Sequence, residues 1–265
     1  MSLTEAQLKA RDGKLTASRV ACLMTGDETK IMNLWREMVG DPAFIADDLS
    51  GVWPVRLGEA TEALNLSWYE RKTGRALTRK GEVVVCPRAE WAASTLDGWD
   101  AAVPAVIECK HVGGYEARDV VLARYQPQLH WQMICTGAKQ AVLSVIEGAK
   151  EPALEVVDFD ESYAAELWTR AERFMAFVRD LVEPVTLAPV AAPVKAEKIY
   201  DMRESNAWAA HAADWLAHKE AAGKFDKAAK EIKGLTPADA AKAHGHGIAV
   251  SRNKAGALSI KAKEA

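Results

Sequence analysis

Only four cysteines occur in 265 residues, Cys22, Cys86, Cys109 and Cys135, and no two form a CxxC pair. That spacing argues against a disulfide framework, a zinc site or an iron–sulfur cluster, and it points to a reducing, cytoplasmic setting. No run of about 18 apolar residues exists, so no membrane-spanning helix and no membrane partner are expected. The N-terminus MSLTEAQLKARDGK lacks the apolar core of a signal peptide, which predicts that the protein stays in the cell that makes it. Basic excess is missing too: the net charge of −3 argues against a simple cationic nucleic-acid binder. No internal repeat is visible.

What is present is the composition of a globular protein, 49% hydrophobic and 27% charged. The charge is unevenly placed. Residues 185–265 hold 13 Lys and Arg against 9 Asp and Glu, a net of +4, so the first 184 residues carry −7. A domain that gathers carboxylates around metal ions has this imbalance, and so does an ordinary solvated acidic surface.

The segment 183–194, EPVTLAPVAAPV, has three prolines and one charge and reads as an extended linker of polyproline character. It divides the chain into an expected domain 1–183, a linker 184–194 and a module 195–265. In the first part Thr16 is placed to cap a helix over 17–24 ended by Gly26, a second helix covers 29–39, and a longer one over 57–73 stops at Gly74. Three β-rich runs, 81–86, 91–96 and 105–109, read as a meander separated by Pro87 and the Asp97-Gly98 turn. A helix is expected to start near Pro127 and end at Gly137, followed by strands over 140–146 and 154–159 and an amphipathic helix over 162–181. The fold class is therefore α/β of the α+β kind, a mixed central sheet flanked by helices, with a small, mainly helical C-terminal module.

Alternation along a strand over 105–110 sends Ile107 and Cys109 into the core and Glu108 and Lys110 together to the other side. Asp97 closes the preceding strand, and an antiparallel return brings it opposite Glu108. Two converging carboxylates repel each other, and an oxygen-seeking divalent cation relieves the repulsion. Mg²⁺ or Mn²⁺ suits such a site, with the Cys109 carbonyl as a further ligand. Lys110 can then orient or help deprotonate a water and counter charge developing on a phosphate, the arrangement that phosphodiester hydrolysis needs. The same residues also fit an exposed hairpin with an ordinary Glu–Lys pair worth under about 1 kcal/mol. Glu62 falls on a partly apolar helix face beside Leu66 and Tyr69, where a charge is costly unless paired or bound to metal; a side chain that reaches solvent fits as well. Gln128 and Gln132, four apart, share one helix face, useful for positioning a phosphate or water and equally ordinary on a solvated face.

Five short motifs then follow one another in order. They are Arg11-Asp-Gly-Lys-Leu-Thr-Ala-Ser18, Arg56-Leu-Gly-Glu-Ala-Thr-Glu62, Ser94-Thr95-Leu96-Asp97-Gly98, Ile107-Glu108-Cys109-Lys110 and Tyr125-Gln-Pro-Gln128. Together they resemble the PD-(D/E)XK nuclease superfamily, and more closely the lambda exonuclease and YqaJ-like viral recombinase family. Leu96 stands where that family often has proline and Thr95 where it often has serine; neither change removes a ligand.

The resemblance implies a restriction-endonuclease-like core and a magnesium site of two ions, with manganese as a substitute. By it Asp97 and Glu108 bind metal with the Cys109 carbonyl, Glu62 serves the second ion, Lys110 acts on the attacking water and Gln128 positions that water. Arg11, Ser18 and Thr95 match positions that hold a 5′-phosphate. It further implies a 5′-to-3′ exonuclease acting on double-stranded DNA ends in phage-type recombination. Such an enzyme is phage- or prophage-encoded, works in the bacterial cytoplasm, hands the remaining strand to a single-strand annealing protein and in some relatives forms a homotrimer. An endonuclease of restriction or repair type on the same core, and a non-catalytic DNA-binding protein, are the alternatives.

Beyond the motifs, Trp208, Ala212, Trp215 and Leu216, then Phe225, Ala229 and Ile232, are spaced as two amphipathic helices with Lys224, Lys227, Lys230 and Lys233 near one side. The stretch 245–261 reads as a hairpin around Asn253 to Gly256. The module's positive charge suits a DNA or protein contact, or a solvated face. His244 and His246 are too few for a metal site.

Overall fold

The computed structural model describes residues 4–193 and 201–263, which fall into two units, Met1–Lys195 and Ala196–Ala265. In the first unit α1 (Glu5–Arg11) starts at a capping box, with Thr4 and Gln7 each bonded to the other's backbone N–H. β1 (Leu15–Thr16) leads into one turn of helix, α2 (Ala17–Val20), continued as a 3₁₀ turn to Met24. α3 (Glu28–Val39) is capped by Asp27 and stopped by Gly40 at φ 72°. α4 (Trp53–Thr73) begins four residues before the expected start, because Pro54 sits in the first turn where its missing N–H costs nothing.

Seven strands and two helices complete the unit: β2 (Leu77–Thr78), β3 (Val83–Val85), β4 (Ala92–Thr95), β5 (Gly98–Asp100), β6 (Ala105–Val112), α5 (Arg118–Thr136), β7 (Gln140–Glu147), β8 (Ala153–Asp158) and α6 (Glu161–Asp180). α5 corrects the expected start at Pro127, since the helix begins nine residues earlier and carries the proline inside it. The ring denies the Ala123 carbonyl its usual donor. Nine buried side chains hold the helix regardless, Trp131, Leu129 and Met133 among them, so tertiary burial outweighs a local preference.

The main sheet has the order β2-β5-β6-β7-β8; β6 and β7 run parallel, joined across one face by α5, and the other pairs are antiparallel. A second sheet, β1-β4-β3, pairs β1 parallel to β4. The expected meander is thus corrected. Its first two runs pair as β3 and β4, but the chain leaves that sheet at Leu96, and β5, which the sequence did not show, pairs with β6 instead.

β6 is covered on both faces, with Ala105, Ile107 and Cys109 against Leu66 and Tyr69 of α4, and Val106 and Val112 against Leu129 and Met133 of α5. Each fully buried aliphatic side chain of this kind contributes about 1.5–3 kcal/mol.

The proline-rich segment lies on this first unit. Val190 N–H donates to Met24 O at 2.9 Å, the buried Arg170 donates to Leu23 O and Ala188 O, and Pro189 occupies the space a Cβ on Gly26 would need. Residue 194, the last of the expected linker, lies outside the described residues. In the second unit the two expected helices are one, α7 (Asn206–Leu235), capped by Ser205 and without a buried residue. β9 (Lys242–Gly245), β10 (Ile248–Arg252) and β11 (Leu258–Ala262) form an antiparallel sheet; the expected hairpin is β10–β11, turned by Asn253, whose side chain accepts from Ala255 N and Ala257 N.

Candidate active site

The short length of β5 creates the site. It begins only at Gly98, paired with Ile107, so on that flank residues 108–112 of β6 have no neighbouring strand. One register step beyond, Asp97 takes the strand's place, accepting the Cys109 N–H through Oδ2 at 2.8 Å. Glu108 points to the α5 face and is 1% exposed. Its Oε1 accepts from Gln128 Nε2 at 2.5 Å and Lys110 Nζ at 2.6 Å, and its Oε2 accepts from Gln132 Nε2 at 2.6 Å. Gln132 spends its second amide hydrogen on Thr95 O at 3.3 Å, and the Trp131 indole donates to Ala93 O, so α5 is tied to β4 while it holds Glu108. A buried carboxylate survives only with such donors around it.

α4 brings Glu62 from the other side. One turn on, Asn65 bonds Ser144 O at 2.9 Å and receives the Ser144 hydroxyl at 2.6 Å, and Leu66 enters the core, which fixes the helix against β7 and β6. Glu62, Glu59, Asp97, Cys109, Lys110 and His111 share the wall of one cavity of about 580 Å³. The electrostatics record the crowding. Burial, then the nearby Glu108 charge, pushes the Asp97 carboxyl well above its ordinary range, and Glu62 adds to the effect. Burial alone would lower the Lys110 ammonium, but Glu108 and Asp97 outweigh it and raise it. The Cys109 thiol is raised, mainly by burial. The structure thus brings Asp97, Glu108 and Lys110 into one network, with Glu62 on the same cavity.

Arg11, Ser18 and Thr95 gather at the small sheet. Arg11 Nη2 donates to Thr16 Oγ1 at 3.4 Å, and Thr16 Oγ1 lies 3.4 Å from Ser18 Oγ. Thr95 lies in β4 of the same sheet, two residues beyond Ala93, the register partner of Thr16, and its buried hydroxyl has no partner among the described residues. Arg11 is half-buried with no carboxylate partner there; burial, then neighbouring Arg19, lowers its pKa. An anion fits such a group. A helix dipole adds little here, because α2 is a single turn.

Three residues to which the family resemblance gives no role belong to these clusters. Thr16 lies within the first motif and gives its hydroxyl to Arg11 and Ser18 instead of capping α2. Gln132 was legible as the partner of Gln128 four residues on. His111 follows Lys110 and shares its face of β6 with Cys109; its Nδ1 lies 3.1 Å from Thr61 Oγ1. Thr61 donates to Leu57 O at 2.7 Å, which leaves its oxygen to accept from His111 Nδ1–H. No signal in the sequence distinguished this histidine.

Among the described residues no three of His, Cys, Asp and Glu stand close enough to hold an ion as they are, since Glu108 is turned to its amide and ammonium donors. The donor chemistry still fits a hard divalent cation. Glu59, Glu62, Asp97 and Glu116 line the cavity, and the Asp97 carboxyl, raised first by burial and then by the Glu108 charge, is a group whose repulsion a cation would relieve.

Residues 7–139 match the profile described as the YqaJ-like viral recombinase domain. No curated protein matches the chain. Among solved structures, the alkaline exonuclease LHK-Exo from Laribacter hongkongensis is 22% identical, with a TM-score of 0.59, over 68% of this chain and 95% of that one. The same exonuclease in complex with dAMP gives 0.58. A phage-related exonuclease from Haemophilus somnus 129PT is 14% identical, with a TM-score of 0.53, over 63% of this chain and 94% of that one. These likenesses show the fold.

Proposed function

Because the chain belongs to the YqaJ-like viral recombinase family, we propose that its cavity is the active centre of a metal-dependent 5′-to-3′ exonuclease that resects double-stranded DNA ends in phage-type recombination. The observation that carries this reading is that the Asp97 and Glu62 carboxylates and the Lys110 ammonium line one cavity roomy enough for a phosphodiester, with the buried Glu108 bonded to Lys110. Mg²⁺ or Mn²⁺, two ions in this reading, would be held by Asp97, Glu108, the Cys109 carbonyl and Glu62, and supplies Lewis-acid activation of water and phosphate oxygen.

The chain's own groups do the rest. Lys110, kept protonated by its two carboxylate neighbours, donates to the phosphate oxygens as charge grows on them. Gln128 and Gln132 hold the Glu108 carboxylate in place, and Gln128 orients the attacking water. Arg11, Ser18 and Thr95, with Thr16, bind the terminal 5′-phosphate, the guanidinium offering a bidentate fork and the hydroxyls further donors. That cluster favours an exonuclease over an endonuclease of restriction or repair type, which has no use for a terminal phosphate pocket. A single-strand annealing protein that receives the spared strand, and a homotrimeric assembly, complete the reading.

The test is digestion of end-labelled linear duplex by wild type and Glu108→Ala, with Mg²⁺ or a chelator. Resection is expected only in wild type with metal, faster on 5′-phosphorylated ends than on 5′-hydroxyl ends and absent on closed circles. Robust cutting by Glu108→Ala or under chelation overturns the catalytic assignment, and cutting of closed circles favours the endonuclease.

A further inference from the structure

The cavity that holds the candidate centre has charged walls, but its cations are engaged. Lys110 is bound to Glu108, and Arg124 pairs with Glu116, while Glu59, Glu62 and Asp97 add negative charge. Such a rim attracts phosphates poorly. It does present aromatic surface, and base faces stack on aromatic rings regardless of sequence. Tyr115 is fully exposed in the turn between β6 and α5, flanked by the wall residues Gly113 and Glu116.

That turn is well built. Gly148 N–H donates to Val112 O at 3.0 Å, a Cβ on Gly148 would meet Gly114 Cα at 3.3 Å, and Arg124 holds Glu116 from α5. The unit therefore fixes the backbone beneath Tyr115 while gaining no burial from its ring. On the helical wall Trp53, 68% exposed, opens α4 directly before Pro54 and Val55, which line the same cavity. Trp53 and Tyr115 are thus large rings left in solvent on two separate elements, each next in sequence to a residue that lines this cavity.

We propose that Tyr115 and Trp53 are base-stacking contacts at the rim, gripping unpaired nucleotides of the DNA strand as it enters the cavity. This rests on the nuclease reading above and adds to it the part of the substrate that the rim recognises. Stacking adds affinity with little sequence preference, so the contacts set KM more than kcat.

The test uses the full-length protein with Ca²⁺ and a dye-labelled, 5′-phosphorylated oligonucleotide, beside an abasic version of the same strand. Tyr115→Ala and Trp53→Ala are each expected to weaken binding of the normal strand about tenfold, Tyr115→Phe to leave it unchanged, and the abasic strand to bind wild type and variants alike. Equal loss on both strands means that the rings touch backbone, and unchanged affinity leaves the rim to a protein partner; either result overturns the proposal. Because Glu108→Ala tests catalysis separately, an enzyme that needs Glu108 to cut DNA but shows no rim effect loses only this inference.

Discussion

Replacing Lys110 by methionine keeps the aliphatic stem and deletes the ammonium. In wild type Nζ stands 2.6 Å from an oxygen of the buried Glu108. At an effective dielectric of about 20, two unit charges at that separation attract by about 6 kcal/mol. Part of that attraction offsets the desolvation of both groups, and removing one partner of a buried pair costs about 3–5 kcal/mol. Gln128 and Gln132 still donate to Glu108 in the variant, which puts the expected loss near the lower end. For a unit of this size a loss of about 3 kcal/mol lowers the unfolding midpoint by about 6–12 °C.

Circular dichroism of metal-free protein at neutral pH measures that shift. The same variant is expected to lose at least about a hundredfold in cutting rate with Mg²⁺. A midpoint within about 2 °C of wild type refutes the electrostatic account of Glu108, and an intact cutting rate refutes the chemical role given to Lys110.

Three further outcomes follow from the same geometry. A divalent cation at about a hundred times its dissociation constant should stabilise wild type by about 2.7 kcal/mol, read as a rise of several degrees in melting, and an equal rise in Asp97→Asn removes Asp97 from the ligand set. His130 is fully buried; its Nδ1 pairs with Gln126 O at 2.9 Å and its Nε2 accepts Asp160 N–H at 3.1 Å, so the fold needs it neutral, and burial lowers its pKa below 6.5. The stability it contributes is present above pH 6.5 and is lost as pH falls through the lowered value, so urea titrations should show a loss toward pH 5 that His130→Gln lacks; identical slopes reject this. Arg170→Met frees the carbonyls of Leu23 and Ala188, at a cost of about 2 kcal/mol, and limited proteolysis within 184–193 should speed up; a wild-type cleavage rate shows that the segment is held by other contacts.

Helix stops and periodic strands were legible because they are local. Gly74 and Gly137 each take the left-handed conformation that ends a helix, and alternation along β6 separates Ile107 and Cys109 from Glu108 as its side-chain period dictates. Strands of two or three residues, β1, β2 and β5, carry no period to read, and they are the pieces that build the site's framework. Pro127 misled because its local preference for a helix start is worth less than the nine side chains that α5 buries.

Residue identity alone determined the candidate chemistry: three carboxylates, a lysine, two glutamines and an arginine with hydroxyls, in an order that belongs to one family. Tertiary structure alone decided that the carboxylates, the lysine and the amides meet. β5 begins only at Gly98 and leaves one flank of β6 open, Asp97 fills that gap, and α4 and α5 deliver Glu62 and the amides from opposite faces. The reason is one of range. Propensity and periodicity act over a few residues, whereas the convergence of residues 62, 97, 108 and 128 depends on strand register and helix packing between segments far apart in the chain.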